Sequence, residues 1–383
     1  MARGIARRRR VPISPPHASH DRTEDVPRER SIAAAGGWKT GAGTGRVLRG
    51  RRPWRMSSER ACSRPSNCSL SLFSTLSPDG SLRRLAYRLR APMPPTAVVT
   101  DSTAYLPPEL AAGNSIGVVS LYVNFAGDRT ERETDLMGDL DRFYDEIRSA
   151  EQWPTTSQPS VGDFVEVYEP LLAGGGEVVS IHISEGISGT CDSARQAAEL
   201  LERDGKGGER IRVVNSQSAA GGLGLIALSA ARVAQRGDNT EAVAVRAEEA
   251  RESLKMWFAV DTLEFLKRSG RVGAASAWIG STLKIKPILT LEQEITPIER
   301  VRTSGRAFER MVAYAQERHE AGADGWVVQH IQSRDAAERL AERCRQVFET
   351  DPVFVSEIGP VLGVHTGPGL LGVGGVLAHC LSA

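Results

Sequence analysis

Three short segments hold the residues best suited to chemistry: Pro154-Thr155-Thr156-Ser157-Gln158-Pro159-Ser160, Ile187-Ser188-Gly189-Thr190 and His365-Thr366-Gly367-Pro368-Gly369. Each sets small hydroxyl residues beside Gly or Pro next to an apolar run, the pattern of a tight, rigid loop at a strand end. Hydroxyls and free backbone N–H groups in such loops donate hydrogen bonds, and one segment adds an imidazole. Together they predict a site for an oxygen-rich or anionic head group.

The individual segments have simpler readings as well. Ser160 is placed to cap the helix that follows it, which leaves Thr156 and Ser157 without a structural task. Ser188-Gly189-Thr190 precedes a helix near Cys191, whose free N–H groups and dipole suit a carboxylate or phosphate; a plain Ser/Thr cap explains it equally well. A thiol at that helix start could be acidified, but with no base nearby in sequence a buried apolar role fits Cys191 better. Asp101-Ser102-Thr103 follows the first strand-like run, and taken alone it reads as an N-cap before Pro107-Pro108-Glu109. His365 sits in the Gly/Pro-rich stretch Gly363–Gly369, whereas His182, His319 and His330 fall in strand or helix patterns that suit structural roles.

Several chemistries are excluded. Gly221-Gly222-Leu223-Gly224 has the wrong spacing for a dinucleotide fingerprint, and close helix–sheet packing accounts for these glycines. There is no phosphate-loop motif, no nucleophile elbow and no Cys/His spacing for zinc. Cys191, Cys344 and Cys380 are odd in number and widely spaced within 93–383, which predicts a reduced, soluble, cytoplasmic protein without disulfides.

The elements that must carry these segments follow from periodicity. Strand-length apolar runs recur at Ala97–Thr100, Ile116–Phe125, Val178–Ile183, Ile211–Val214 and Trp257–Val260. Helical patterns lie between them at Phe164–Ala173, Ala194–Glu202, Leu223–Gln235 and Thr240–Leu254. That alternation predicts an α/β fold with a mainly parallel sheet, its ligands beyond the carboxyl ends of the strands. From about residue 257 the pattern changes to paired strands at 288–291 and 295–301, where Pro297 argues against a central position. Helix Gly305–Glu320, strand Trp326–Ile331, helix Arg334–Phe348 and strand Val353–Ser356 follow. Two domains are expected, 93–256 as an N-terminal α/β domain and 257–383 as a C-terminal α+β domain.

Charge separates the first 92 residues from the rest. They hold nineteen Arg, one Lys and six acidic residues, a net +14, while residues 93–383 hold 28 basic and 41 acidic residues, a net −13. Arg7–Arg10 and Arg51-Arg52 could contact nucleic acid, and the Arg-rich, acid-poor character also fits an organelle transit peptide. The simplest account is an over-extended gene start ahead of Met93, with disorder if the segment is made.

Six ordered motifs carry a family resemblance: Asp101-Ser102-Thr103-Ala104, Thr156-Ser157-Gln158-Pro159-Ser160, Ile187-Ser188-Gly189-Thr190, Leu266–Gly273, Ile285-Lys286-Pro287-Ile288-Leu289, and Ile358-Gly359-Pro360 with His365-Thr366-Gly367-Pro368-Gly369. In this order and over essentially 94–376 the chain resembles the DegV family. The resemblance implies a two-domain α/β protein with one long-chain fatty acid in an apolar tunnel between the domains. It further implies the lipid-carrying, non-catalytic subunit of a bacterial fatty acid kinase. A separate ATP-binding subunit similar to dihydroxyacetone kinase would phosphorylate the carboxylate for phospholipid synthesis. By that analogy Thr156 or Ser157, together with Ser188 and His365, binds the carboxylate, with the Gly189 and Thr190 backbone assisting. Asp101 and Ser102 line the phosphoryl-transfer mouth, and Arg271 and Arg302 dock the kinase. No metal, no further cofactor and no nucleic-acid partner is implied, and transient membrane contact is a further expectation. The chain departs from the family pattern at Ser269, Asn215 and Tyr105. The rival reading is a stand-alone hydrolase or phosphotransferase acting on a small anion, for instance through Ser188 and His365.

Overall fold

In a computed structural model of the chain, the structure describes residues 95–279 and 285–382, together with two short strands, Thr75–Leu76 and Leu82–Arg83. Those two strands pair antiparallel in a unit separate from residues 86–383. The remaining expectations for the leader, and that of a start at Met93, lie outside the described residues.

Within 86–383 the chain opens with β1 (Thr96–Asp101), α1 (Pro108–Gly113) and β2 (Ile116–Val119). Three short strands follow, β3 (Tyr122–Asn124), β4 (Thr130–Arg132) and β5 (Thr155–Ser157), with α2 (Glu133–Leu136) and α3 (Leu140–Ser149) before the last of them. They form an antiparallel sheet of their own, ordered β4-β3-β5. The run Ile116–Phe125, expected as one strand, is therefore two strands in two sheets. The break lies at Ser120-Leu121, where the Leu121 amide leaves the ladder and donates to the Ser102 hydroxyl at 3.0 Å.

Next come α4 (Val161–Leu172), β6 (Glu177–His182), α5 (Thr190–Arg203), β7 (Ile211–Asn215), α6 (Ala220–Gln235) and α7 (Thr240–Ser253). Strands β2-β1-β6-β7 make the parallel four-stranded sheet. Val99, Val119 and Val178 pack on α4 and α5 from one face, and Val98, Val179 and Ile181 pack on α6 and α7 from the other. Burial on both faces is why these strands read as unbroken apolar runs.

The last part contains β8 (Lys255–Ala259), α8 (Glu264–Arg268), β9 (Lys286–Glu292), β10 (Glu294–Val301), α9 (Ser304–Glu320), β11 (Gly325–His330), α10 (Arg334–Phe348), β12 (Phe354–Glu357), α11 (Pro360–Thr366) and β13 (Leu371–Val376). These strands form a mixed six-stranded sheet ordered β10-β9-β8-β13-β11-β12. Pro297 lies in the edge strand β10, opposite Leu289 where the register shifts, so its missing N–H costs no interior ladder bond. Helices α9 and α10 cover one face of this sheet and α6 reaches the other.

Helix α6 is thus enclosed between the two sheets, with twelve of its sixteen residues buried. This explains an apolar pattern running all round the helix. The glycines of its first turns allow close approach: a Cβ at Gly221 would meet Val327 of β11 at 2.9 Å, and one at Gly224 would meet Leu106 at 3.0 Å.

Candidate functional site

The hydroxyl segments do converge, though not all as loops. Thr156 and Ser157 are the end of β5, held in register by Tyr122↔Ser157 and Val123↔Thr156 pairs with β3. Ser188 ends the loop after β6, where the Ser184 carbonyl accepts from the amides of Ile187 (3.2 Å) and Ser188 (3.1 Å). His365, expected in a Gly/Pro-rich loop, instead occupies the last turn of α11. Pro360 starts that helix, with its fixed φ already helical, and Gly367 at φ 73° ends it.

Thr156, Ser157, Ser188, Arg271 and His365 line one chamber of about 70 Å³. The His365 Nε2 and the Thr156 hydroxyl share a hydrogen bond of 2.7 Å. Ser188 and Thr190 hydroxyls are 2.9 Å apart, so Ser188 partners Thr190 and the Ser188–His365 pair expected of the rival hydrolase reading is not formed. Gly189 lies beneath the Gln158 amide, where a Cβ would approach Nε2 to 2.6 Å. Asn124 donates to the Ser157 hydroxyl at 3.4 Å.

A second chamber of about 80 Å³ adjoins the first and is almost wholly apolar, with Met256, Phe258, Leu291 and Leu370 in its wall. Ile187, Ile295, Leu362 and Thr366 line both chambers, so these four side chains form the wall shared by a polar chamber and an apolar one. Trp153 ties the surrounding elements together. Its Nε1 donates to the Val364 carbonyl of α11 at 3.0 Å, its ring packs on Phe265 of α8 at 5.0 Å, and Arg268 lies 5.2 Å over it.

The electrostatics of the head chamber centre on His365. Burial, and then the nearby Arg271 guanidinium, push its imidazole down to about 4, so the ring is neutral at physiological pH. Its Nδ1 is buried without a partner, an expensive state for a polar atom and one that a ligand oxygen would relieve. Arg271 is exposed and donates to the Ser269 carbonyl at 2.7 Å. Ser269 itself has an unstrained φ of −83°, and Gly270 takes the left-handed φ of 76°, so the serine leaves this loop intact.

Asp101 and Ser102 do not line either chamber. The Asp101 carboxylate is fully buried and accepts from the Thr103 amide (3.1 Å) and the Ile183 amide (2.9 Å), with His182 Nδ1 at 3.1 Å. His182 Nε2 meets the Ser180 hydroxyl at 2.7 Å, and Tyr168 donates to Ser180 at 2.7 Å. Asp101, His182 and Ser180 are therefore connected like a hydrolytic triad, yet none of the three has any exposed surface, and no substrate can reach them. Arg302 lies exposed in the turn between β10 and α9, outside the chamber walls. Burial raises the thiol pKa of Cys191, in keeping with its inert role.

Two participants were not legible in the sequence. Gln158 lies over Gly189 and donates to Ser193 at 3.4 Å. Glu133, fully buried at the start of α2, accepts from Ser102, from the Tyr105 hydroxyl at 2.7 Å and from the Val361 amide at 2.7 Å. Nothing in the acidic stretch around it marks Glu133 out. Asn215 uses its side-chain oxygen to accept from the Gln217 amide at 2.9 Å, which shapes the turn after β7. Among the described residues no group of His, Cys, Asp or Glu is placed to hold a metal ion, and no helix is long and apolar enough to cross a membrane.

Solved structures share this fold. A fatty acid binding protein, DegV from Bacillus subtilis, superposes with a TM-score of 0.66 at 35% identity, covering 74% of this chain and 99% of that one. A fatty-acid-binding DegV family protein from Thermus thermophilus gives 0.64 at 34% identity with the same coverage. In sequence, a DegV domain-containing protein of Clostridium acetobutylicum is 37% identical over 278 residues, 72% of this chain and 95% of the relative. The family model for DegV, an uncharacterised protein family, matches residues 95–377. With the motifs, the three sheets built from residues 96–376 and both chambers all inside that span, the chain belongs to the DegV family.

Proposed function

We propose that this protein holds one long-chain fatty acid, its carboxylate in the head chamber and its chain in the apolar one, and presents the carboxylate to a separate ATP-dependent kinase. The observation that carries the reading is the pair of adjoining chambers. Four residues line both a hydroxyl- and imidazole-bearing chamber and an apolar chamber, which sets a polar site directly against an apolar one. The fatty acids bound by the Bacillus subtilis and Thermus thermophilus proteins support it.

The head group is served by Thr156, Ser157, Ser188 and His365, with the Gly189 and Thr190 backbone. Residues 93–256 thus supply the hydroxyls and 257–383 the imidazole. If the Thr156 hydroxyl donates to Nε2, the ring proton sits on Nδ1, the atom that lacks a partner; it then donates to the carboxylate while Arg271 balances the charge. A C16 chain adds roughly 0.8 kcal/mol per buried CH₂. Both chambers are smaller than the roughly 300–1,000 Å³ of typical ligand sites, so loading requires flexible wall residues such as Met256 and Leu362 to rotate aside.

Arg271 and Arg302, both exposed, are the residues we assign to kinase docking. Asp101 and Ser102 act from behind the mouth by fixing its loops. The protein carries no turnover of its own in this reading and works in the cytoplasm. Native mass spectrometry of the purified full-length chain tests it: a co-purifying mass in the C14–C18 fatty acid range is expected. Its transfer to hydroxylamine-trapped acyl phosphate should require both a partner kinase and ATP. An empty protein that hydrolyses esters or phosphates would overturn the proposal.

A further inference from the structure

We infer that Glu133 is the positioning residue for His365: its buried carboxylate caps the first turn of α11 and thereby fixes the imidazole carried one turn further on. The inference rests on the reading of His365 as the carboxylate-binding imidazole, and it adds a residue outside the chamber walls.

A helix leaves its first amide donors without partners inside the helix. In α11 the N-cap Gly359 has no side chain to take them. Their partners come from 228 and 257 residues earlier in the chain: the Val361 amide donates to Glu133 at 2.7 Å, and the Leu362 amide donates to the Tyr105 hydroxyl at 3.2 Å. Tyr105 in turn donates to the same Glu133 oxygen at 2.7 Å, and Ser102 donates to the other oxygen. One carboxylate therefore collects the first turn of α11, directly and through a tyrosine.

The helix is also pressed onto this cap. A Cβ at Gly359 would meet the Tyr105 ring at 2.7 Å, and one at Gly363 would meet the Tyr144 ring at 2.9 Å. Tyr144 donates to the Ile358 carbonyl at 3.3 Å. Val361 and His365 are four residues apart, on one face and separated by one turn of about 6 Å. A helix of seven residues has no room to absorb a displaced first turn, so movement at Val361 is passed to the imidazole. Aspartate at position 133 would fall short by about 1.5 Å, one carbon–carbon bond.

The same carboxylate is pushed up to about 7 by burial, with Asp101 adding to the effect against its three donors. Tyr105 and Tyr144 are the other ionisable groups facing it. Ionised, Glu133 accepts from all three donors; protonated, it must use one oxygen as a donor.

The test follows the imidazole of His365 by NMR in the ligand-free full-length chain, together with binding of labelled palmitate. E133A is expected to weaken palmitate binding at least tenfold and to move the His365 titration toward that of an ordinary imidazole. E133Q, which keeps an acceptor for Val361 and Tyr105, is expected to bind within about threefold of the parent and to lose the inflection near pH 7 in the affinity profile. A general loss of stability would not move the imidazole titration. If E133A does not fold, Y105F retains the carboxylate but cuts the link to Leu362, and a smaller shift in the same direction is expected. An unchanged His365 titration in the folded variants, with an unchanged E133Q profile, overturns the inference. A parent protein that fails to bind palmitate overturns the fatty acid reading instead, and the titration arm still decides the role of Glu133.

Discussion

Thr156 and His365 stand 209 residues apart in the chain and share a 2.7 Å hydrogen bond, one from a short antiparallel strand and the other from the end of a seven-residue helix. That bond occupies Nε2 and leaves Nδ1 as the ring nitrogen open to a ligand. In Thr156→Val the side chain keeps its shape but the ring loses its orienting partner. Fatty acid affinity should fall roughly tenfold, equivalent to about 1.4 kcal/mol, while the melting temperature moves little. Titration calorimetry with palmitate and a thermal melt check both halves; unchanged affinity would remove Thr156 from the clamp.

The buried imidazole makes stability depend on pH in a definite direction. The folded value for His365, about 4, lies below the ordinary 6.5, so the native state resists protonation more than the unfolded chain does. Its contribution is complete above pH 6.5 and is lost as the pH falls through that window toward 4. The loss reaches roughly 3 kcal/mol at the lower end. Urea unfolding of the parent and of H365Q at pH 4.5 and 7.5 should show a shallower pH dependence in the variant.

Glu133 works in the opposite sense. Its folded value of about 7 lies above the ordinary 4.5, so its contribution is complete below pH 4.5 and declines as the pH rises to 7. E133Q removes that decline, and the difference between variant and parent should grow in favour of the variant across this range, by a few kcal/mol at most. A constant difference in unfolding free energy from pH 4.5 to 8 would count against the buried, titrating carboxylate.

Gly363 is where α11 meets Tyr144. Gly363→Ala places a methyl group against the tyrosine ring at 2.9 Å and should cost about 1–3 kcal/mol of stability, the usual range for overpacking. Tyr144→Phe removes the nearest atom, so the double variant should recover part of that loss. A double-mutant cycle by chemical denaturation reports the coupling, and strict additivity would place the strain elsewhere.

The Asp101–His182–Ser180 chain is predicted to support the fold without doing chemistry. Ser180→Ala strands the Tyr168 hydroxyl and the His182 Nε2 in the interior, at about 1–3 kcal/mol. Palmitate binding should persist, and neither parent nor variant should turn over nitrophenyl esters.

Most of the fold was visible in periodicity because the central strands of its two larger sheets are buried on both faces. Val98, Val99, Val178 and Val179 all point into packed layers, so their runs are unbroken. The failure at Ile116–Phe125 has the same origin. An apolar run carries no mark of where it changes sheets, and the break at Leu121 is made by a hydrogen bond to Ser102, nineteen positions earlier. The helix under His365 was concealed by its glycines, two of which are there because Tyr105 and Tyr144 occupy the space of a side chain. Pro360 and Gly367 bracketed it in plain view. The hydroxyl residues of the head chamber stood out through local composition. Glu133 and Gln158 did not, since their roles come only from what the fold sets against them.

Helix α6 lies against both sheets at once and buries twelve of its sixteen residues doing so. It belongs to two hydrophobic interiors, so melting either sheet would expose it to water. Residues 95–382 should therefore unfold in a single cooperative step, and a polypeptide cut near residue 256 would present one flank of that helix as an aggregation surface.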